Sequence, residues 1–170
     1  MIYFTPKHFP PGESSHMAIL IKVMEISQGD VLELGTGFFS TPLLHWLCNE
    51  QKRKLFSCES DPRFIEVAKN FITGSHSVQQ VDNWDELDLE SKHWGVVFID
   101  HAPGKRRHVE LERMAQHADY VVVHDAEAKS DWHYNFTKGF PLYKYRYDYK
   151  NAYPETSVLS NFKDLKELCD

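Results

Sequence analysis

Cysteine is scarce in this chain: Cys48, Cys58 and Cys169 are all that 170 residues contain, and they form neither a metal-ligand spacing nor a paired framework. Cys48 and Cys58 sit inside apolar segments, so a reduced, intracellular and cytoplasmic setting is expected. Long apolar runs are also missing: none approaches the roughly 20 residues that span a bilayer, and the first residues lack the charged-then-apolar pattern of an export signal. The expectation is a soluble protein without a membrane partner. Positive charge is in deficit, and a net charge of −6 argues against whole-surface attraction to nucleic acid or anionic lipid. Short basic clusters do occur at Lys52-Arg53-Lys54, which reads as a solvated turn, and at Lys105-Arg106-Arg107. There is no internal repeat, low-complexity tract or long Pro/Gly/Ser linker, so residues 1–170 read as one domain that buries roughly 70% of its unfolded surface. Such a length leaves no room for a separate substrate or lid domain. A partner or second copy, a homodimer in the simplest case, is therefore expected to close an open cleft.

What is present is an alternation of strand and helix patterns. Met1 to Gly12 holds three prolines and reads as an irregular arm, residues 1–13 in all, placed either to cover a ligand or to pack on a sheet. Ser14 or Ser15 then caps a helix carrying Met17, Ile19, Leu20, Val23, Met24 and Ile26. Strands follow at Val31–Leu34, Lys54–Glu59, His76–Val81, Trp94–Asp100 and Tyr120–Asp125, separated by helical segments, of which one starts at Asp61-Pro62 with Asp61 as cap and another runs from about Arg106 to His117. The continuous apolar runs before Asp100 and Asp125 are those of central parallel strands. Leu142–Tyr149 and Thr156–Ser160 suggest an antiparallel pair, and Phe162–Leu168 a closing helix. The fold class is an α/β Rossmann-like open sheet, mostly parallel with a C-terminal antiparallel strand pair and helices on both faces.

The first strand runs into Glu33-Leu34-Gly35-Thr36-Gly37, and Phe38, Phe39 and Ser40 stand where a dinucleotide fingerprint would need its third glycine. Gly35 and Gly37 give close backbone approach to a ligand, with Thr36 between them. Glu33 either orients the glycine turn by accepting backbone N–H bonds or reaches a ligand amino group through water. This turn resembles the first motif of class I, Rossmann-like S-adenosylmethionine-dependent methyltransferases. The resemblance implies S-adenosylmethionine as cofactor and Glu59, 26 residues after Glu33, as the acid that accepts both ribose hydroxyl hydrogens. Asp82 and Asn83, after the third strand, are placed to meet an adenine amino group beside the Trp84 ring, or else to form a plain turn. Neither the glycine loop nor Glu59's loop carries a lysine or arginine to compensate two phosphates, so a nicotinamide-dinucleotide oxidoreductase is the second reading. A non-catalytic subunit that retains the cofactor pocket is the third.

The next two strand ends carry Asp100-His101 and His124-Asp125, with Glu127 two residues on. Two carboxylates from adjacent loops can hold one hard divalent cation such as Mg²⁺. Phe98-Ile99-Asp100-His101 resembles the strand end of catechol-type O-methyltransferases, which implies metal ligation by Asp100 and Asp125. Ala126 stands where that family has an Asn, leaving Glu127 or His124 for the third ligand. Asp100, Pro103, Gly104 and Val123-His124-Asp125 are similar, more loosely, to metal-dependent polysaccharide O-methyltransferases, which implies a saccharide or small-molecule hydroxyl as acceptor. Asp100 is also a candidate catalytic group; the catechol-type resemblance implies Lys105 as a base, its register shifted here by Pro103-Gly104, and His101 and His124 are the alternatives. Both aspartates are equally placed to cap the following helices, and both histidines to pack. Lys105-Arg106-Arg107 either binds an anionic acceptor or starts a helix, while Trp132, His133 and Tyr134 either wall an acceptor pocket or pack.

Overall fold

A computed structural model describes residues 12–169, so the first eleven residues of the expected arm lie outside the described residues. The first half of the chain alternates α1 (Met17–Ile26), β1 (Val31–Leu34), α2 (Ser40–Glu50), β2 (Leu55–Glu59), α3 (Pro62–Ala68) and β3 (His76–Gln80). The second half continues with β4 (Trp94–Ile99), α4 (Arg107–Met114), β5 (Ala118–His124), the single-turn helices α5 (Asp131–Tyr134) and α6 (Phe136–Gly139), then β6 (Tyr145–Tyr149) and β7 (Thr156–Ser160). The strands form one seven-stranded sheet in the order β3-β2-β1-β4-β5-β7-β6. The first five are parallel, with Val31 opposite both Leu55 and Val96, and β7 runs antiparallel to both β5 and β6.

Alternation along the strands divides the core in two. Val31, Val96, Phe98 and Val122 pack against Ile19, Leu20 and Leu44 of α1 and α2 on one face. Leu32, Leu34, Val97, Ile99, Val121 and Val123 pack against Leu111 and Met114 of α4 and Phe136 of α6 on the other. The expected Rossmann-like sheet with helices on both faces is thus observed. The order in which the chain lays down its strands reverses at the β1–β4 junction, the place in an open α/β sheet where ligand loops converge. No helix among the described residues is long and apolar enough to cross a membrane.

Three local expectations need correction. Phe162–Leu168 is not a helix; only Lys166–Leu168 forms a 3₁₀ turn. Leu165 and Leu168, three residues apart, are the buried pair, and the Ser160 hydroxyl holds the start of the segment by accepting from the Phe162 and Lys163 N–H groups. Lys52-Arg53-Lys54 is not simply a solvated turn, because Arg53 is buried and donates to the Gly29 carbonyl, Ser27 Oγ and Gln51 Oε1. Finally, no serine caps α1, since the residue at its start is His16 and the Ser15 hydroxyl is bonded elsewhere.

Candidate active site

The loops after β1, β2, β4 and β5 enclose a cleft of about 390 Å³, within the range of small-molecule sites. Its first wall is the turn after β1. Gly35 has φ +94°, and a Cβ there would lie 2.5 Å from the His101 nitrogen. Its freedom therefore serves contact between the β1 and β4 loops, not contact with a ligand as expected. Gly37 lines the cleft, and a Cβ there would meet only Ser40 Oγ, at 3.2 Å.

Glu33 lies beneath this turn, fully buried and outside the lining of the cleft. Its carboxyl accepts from Thr41 Oγ1 at 2.9 Å and Ser57 Oγ at 2.5 Å, and Thr41 Oγ1 in turn accepts the Gly37 N–H at 3.0 Å. The turn is thus oriented through a hydroxyl rather than by direct bonds from backbone N–H groups to Glu33. Burial pushes the Glu33 carboxyl up to about 7, against the lowering effect of its hydroxyl donors.

Glu59, at the end of β2, lines the cleft and is 4% exposed. One carboxylate oxygen accepts the Thr36 N–H at 2.8 Å and Thr36 Oγ1 at 3.3 Å, while the other accepts the N–H groups of Ser60 and Asp61 at 2.6 and 2.7 Å. Asp61 caps α3 by accepting the Arg63 N–H, as expected. Phe38 and Phe64, 5.5 Å apart between ring centroids, add an aromatic wall that sequence reasoning missed. Asp82 and Asn83 are exposed and outside the lining. Asn83 is engaged in its own turn, accepting the Asp85 N–H and donating to Glu86.

At the β4 and β5 ends, Asp100, His124 and Asp125 line the cleft together with His16 and Glu13 from the segment before β1. Arg107, at the start of α4, ties these loops together. It forms an ion pair with Asp100 Oδ1 at 2.8 Å, donates to Asp125 Oδ2 at 3.0 Å, and donates to the backbone carbonyls of Asp100, His101 and His124. Tyr134 donates its hydroxyl to the same Asp125 oxygen at 2.8 Å. Burial alone would raise the Asp100 carboxyl, but Arg107 and His124 hold it down at about 2. Neither aspartate caps a helix; both hold Arg107.

The expected oxygen-only cation site at Asp100, Asp125 and Glu127 does not assemble. Arg107 bridges the two aspartates where the cation's charge was expected, and Glu127 turns away to accept from Ser130 Oγ and the Glu155 N–H. Mg²⁺ held by these three residues therefore does not fit. His101 is buried, bonded to Glu110 through Nε2 and stacked on Trp84, outside the lining. Lys105 is exposed and also outside it. Arg106 pairs with Glu110 and Asp85, so two of the three residues in that basic cluster are committed to the protein's own carboxylates. Of the expected aromatic wall, Trp132 is 80% exposed and only Tyr134 reaches the site.

No family model matches the chain, and no curated protein matches it either. Solved structures do. A methyltransferase from Pyrococcus furiosus is similar over 95% of this chain and 89% of its own, with TM-score 0.63 and 18% identity. The O-methyltransferase TomG from Streptomyces achromogenes, solved with S-adenosylmethionine, is similar over 93% of this chain and 83% of its own, with TM-score 0.67 and 13% identity. An RNA methyltransferase from Salinibacter ruber, solved with S-adenosyl-L-homocysteine, is similar over 92% of this chain and 95% of its own, with TM-score 0.55 and 16% identity. The chain has the Rossmann-like fold of the class I methyltransferases.

Proposed function

We propose that this protein is an S-adenosylmethionine-dependent methyltransferase whose acceptor is a hydroxyl of a small molecule or saccharide. The observation that carries the reading is the charge of the cleft. Glu13, Glu59, Asp61, Asp100 and Asp125 line it, and no lysine or arginine does among the described residues. A cationic sulfonium donor suits these walls, whereas the two phosphates of a nicotinamide dinucleotide would lack compensation, so the oxidoreductase reading is not favoured. Two of the similar structures above hold S-adenosylmethionine or its product.

When bound, S-adenosylmethionine supplies an electrophilic methyl group on a good leaving group. Glu59 receives the ribose hydroxyls, with the long Thr36 Oγ1 contact the first bond to yield, and Gly37 with Phe38 and Phe64 forms the nucleoside wall. Asp100 and His124 stand at the other strand ends, where they would orient the acceptor hydroxyl, whose proton passes to water in the open cleft as the methyl group is transferred. His101 and Lys105 lie outside the lining and take no part in this reading.

Transfer of a labelled methyl group from S-adenosylmethionine to a panel of catechols, sugars and amines tests the reading. An O-methylated product with S-adenosylhomocysteine released supports it. N-methylation alone would overturn the oxygen acceptor, and cofactor binding without turnover on any acceptor class would favour the non-catalytic subunit.

A further inference from the structure

The hydrogen bonds around His124 determine which of its nitrogens carries a proton. Ser15 Oγ lies 2.8 Å from the Pro154 carbonyl and 2.8 Å from His124 Nε2. A carbonyl can only accept, so the single serine proton goes to Pro154, and Oγ must accept from a protonated Nε2. In the neutral ring, Nδ1 is then a lone pair. It faces two carboxylate oxygens, Asp100 Oδ2 at 3.4 Å and Asp125 Oδ1 at 3.7 Å. Three acceptors turned toward one another require a positive species among them.

His16 identifies which one. Its ring is 2% exposed, lines the same cleft and packs edge-on to His124 at 4.9 Å. Neither of its nitrogens has a hydrogen-bond partner among the described residues. A proton on His124 Nδ1 would satisfy the carboxylates and leave His16 unexplained. A metal ion would satisfy both, because one ligand atom each from His16, Asp100 and His124 lie within 4.8 Å of one another, so that small side-chain rotations bring all three onto one ion. Two donors held about 2.1 Å from one ion at a tetrahedral angle stand about 3.4 Å apart, the separation found between His124 Nδ1 and Asp100 Oδ2.

We propose that His16, Asp100 and His124 bind a divalent transition-metal ion of the Zn²⁺, Fe²⁺ or Co²⁺ type, at a site distinct in composition from the oxygen-only set that the sequence suggested. Two imidazoles with one carboxylate suit such ions, while Mg²⁺ and Ca²⁺ require oxygen donors. The outer contacts are those of a metal centre: Ser15 fixes the His124 ring and Arg107 fixes the second Asp100 oxygen. Three protein ligands leave a position open toward the cleft, for an oxygen of the acceptor. That last role rests on the methyltransferase reading; the metal site itself does not.

The test is titration of the full chain, stripped with chelator and free of S-adenosylmethionine, with Co²⁺ alone, read by visible absorption and checked by Zn²⁺ displacement. One equivalent of Co²⁺ is expected, with the intense band of a four- or five-coordinate site. His16→Gln is expected to weaken binding about tenfold or more, and Ser15→Ala by about tenfold. His45→Gln leaves it unchanged, which excludes the His45–His76 pair, whose Nδ1 atoms lie 3.1 Å apart. Failure of the unmodified chain to bind Co²⁺ stoichiometrically would overturn the proposal, as would unchanged affinity in a folded His16→Gln variant. Because no cofactor is present, neither outcome bears on S-adenosylmethionine binding.

Discussion

Glu59 accepts the backbone N–H of Thr36 at 2.8 Å, so the acid that ends β2 clasps the glycine turn that follows β1. On the proposed function, ribose binding and turn geometry depend on the same carboxylate. Glu59→Ala is expected to weaken S-adenosylmethionine binding by about 1.5–3 kcal/mol and to lower folding stability by about 1–3 kcal/mol, since buried N–H donors lose their acceptor. Calorimetry and urea denaturation measure the two. Unchanged cofactor affinity would remove Glu59 from the ribose role, and unchanged stability would remove it as the clasp.

Glu33 predicts a pH dependence of stability. Its folded-state pKa is raised to about 7 from an ordinary 4.5, so the native state holds the proton more tightly than the unfolded chain does. Its contribution is fully present below about pH 4.5, declines as pH rises, and is lost above about pH 7. The loss is on the order of 3 kcal/mol. Glu33→Gln should flatten this part of the profile, measured as denaturation midpoints across that window. An identical slope in both proteins would contradict the assignment.

The two glycines of the turn should behave differently. Gly35→Ala meets positive φ and the His101 backbone at 2.5 Å, and is expected to cost about 3 kcal/mol of stability. Gly37→Ala meets only the Ser40 hydroxyl, so it should cost less than about 1 kcal/mol while weakening cofactor binding by narrowing the cleft. Equal destabilisation in thermal melts of the two variants would contradict this division.

Arg107→Met leaves Asp100 and Asp125 without their shared cation and removes three bonds to backbone carbonyls. A loss of about 3 kcal/mol is expected on chemical denaturation. Arg107→Lys should recover only part of it, because a single ammonium cannot span both carboxylates. Full recovery by lysine would show that charge, not the planar fork, joins the two loops.

Much of the frame was legible in the sequence. The runs Trp94–Ile99 and Tyr120–Val123 carry no charged residue because both faces of a central parallel strand are covered, and Asp61 before Pro62 announces a helix start by local chemistry alone. The detail of the candidate site was less legible, because it depends on distant pairs. His16 gains meaning only when the fold brings it to His124 and Asp100, and the Ser15 hydroxyl looked like a helix cap until Pro154 and His124 claimed it. Arg107 looked like part of a basic surface cluster, yet it is buried between carboxylates from two loops. Glu127 follows Asp125 closely in sequence, but its carboxylate turns to Ser130 and Glu155.

Calorimetric titration of the purified chain with S-adenosylmethionine and S-adenosylhomocysteine, with NAD as control, tests the central claim most directly. Saturable one-to-one binding of the first two and none of NAD is predicted from the acidic cleft and the Glu59 position. Binding of NAD in preference, or of none of the three, would contradict it and leave the glycine turn with a structural role alone.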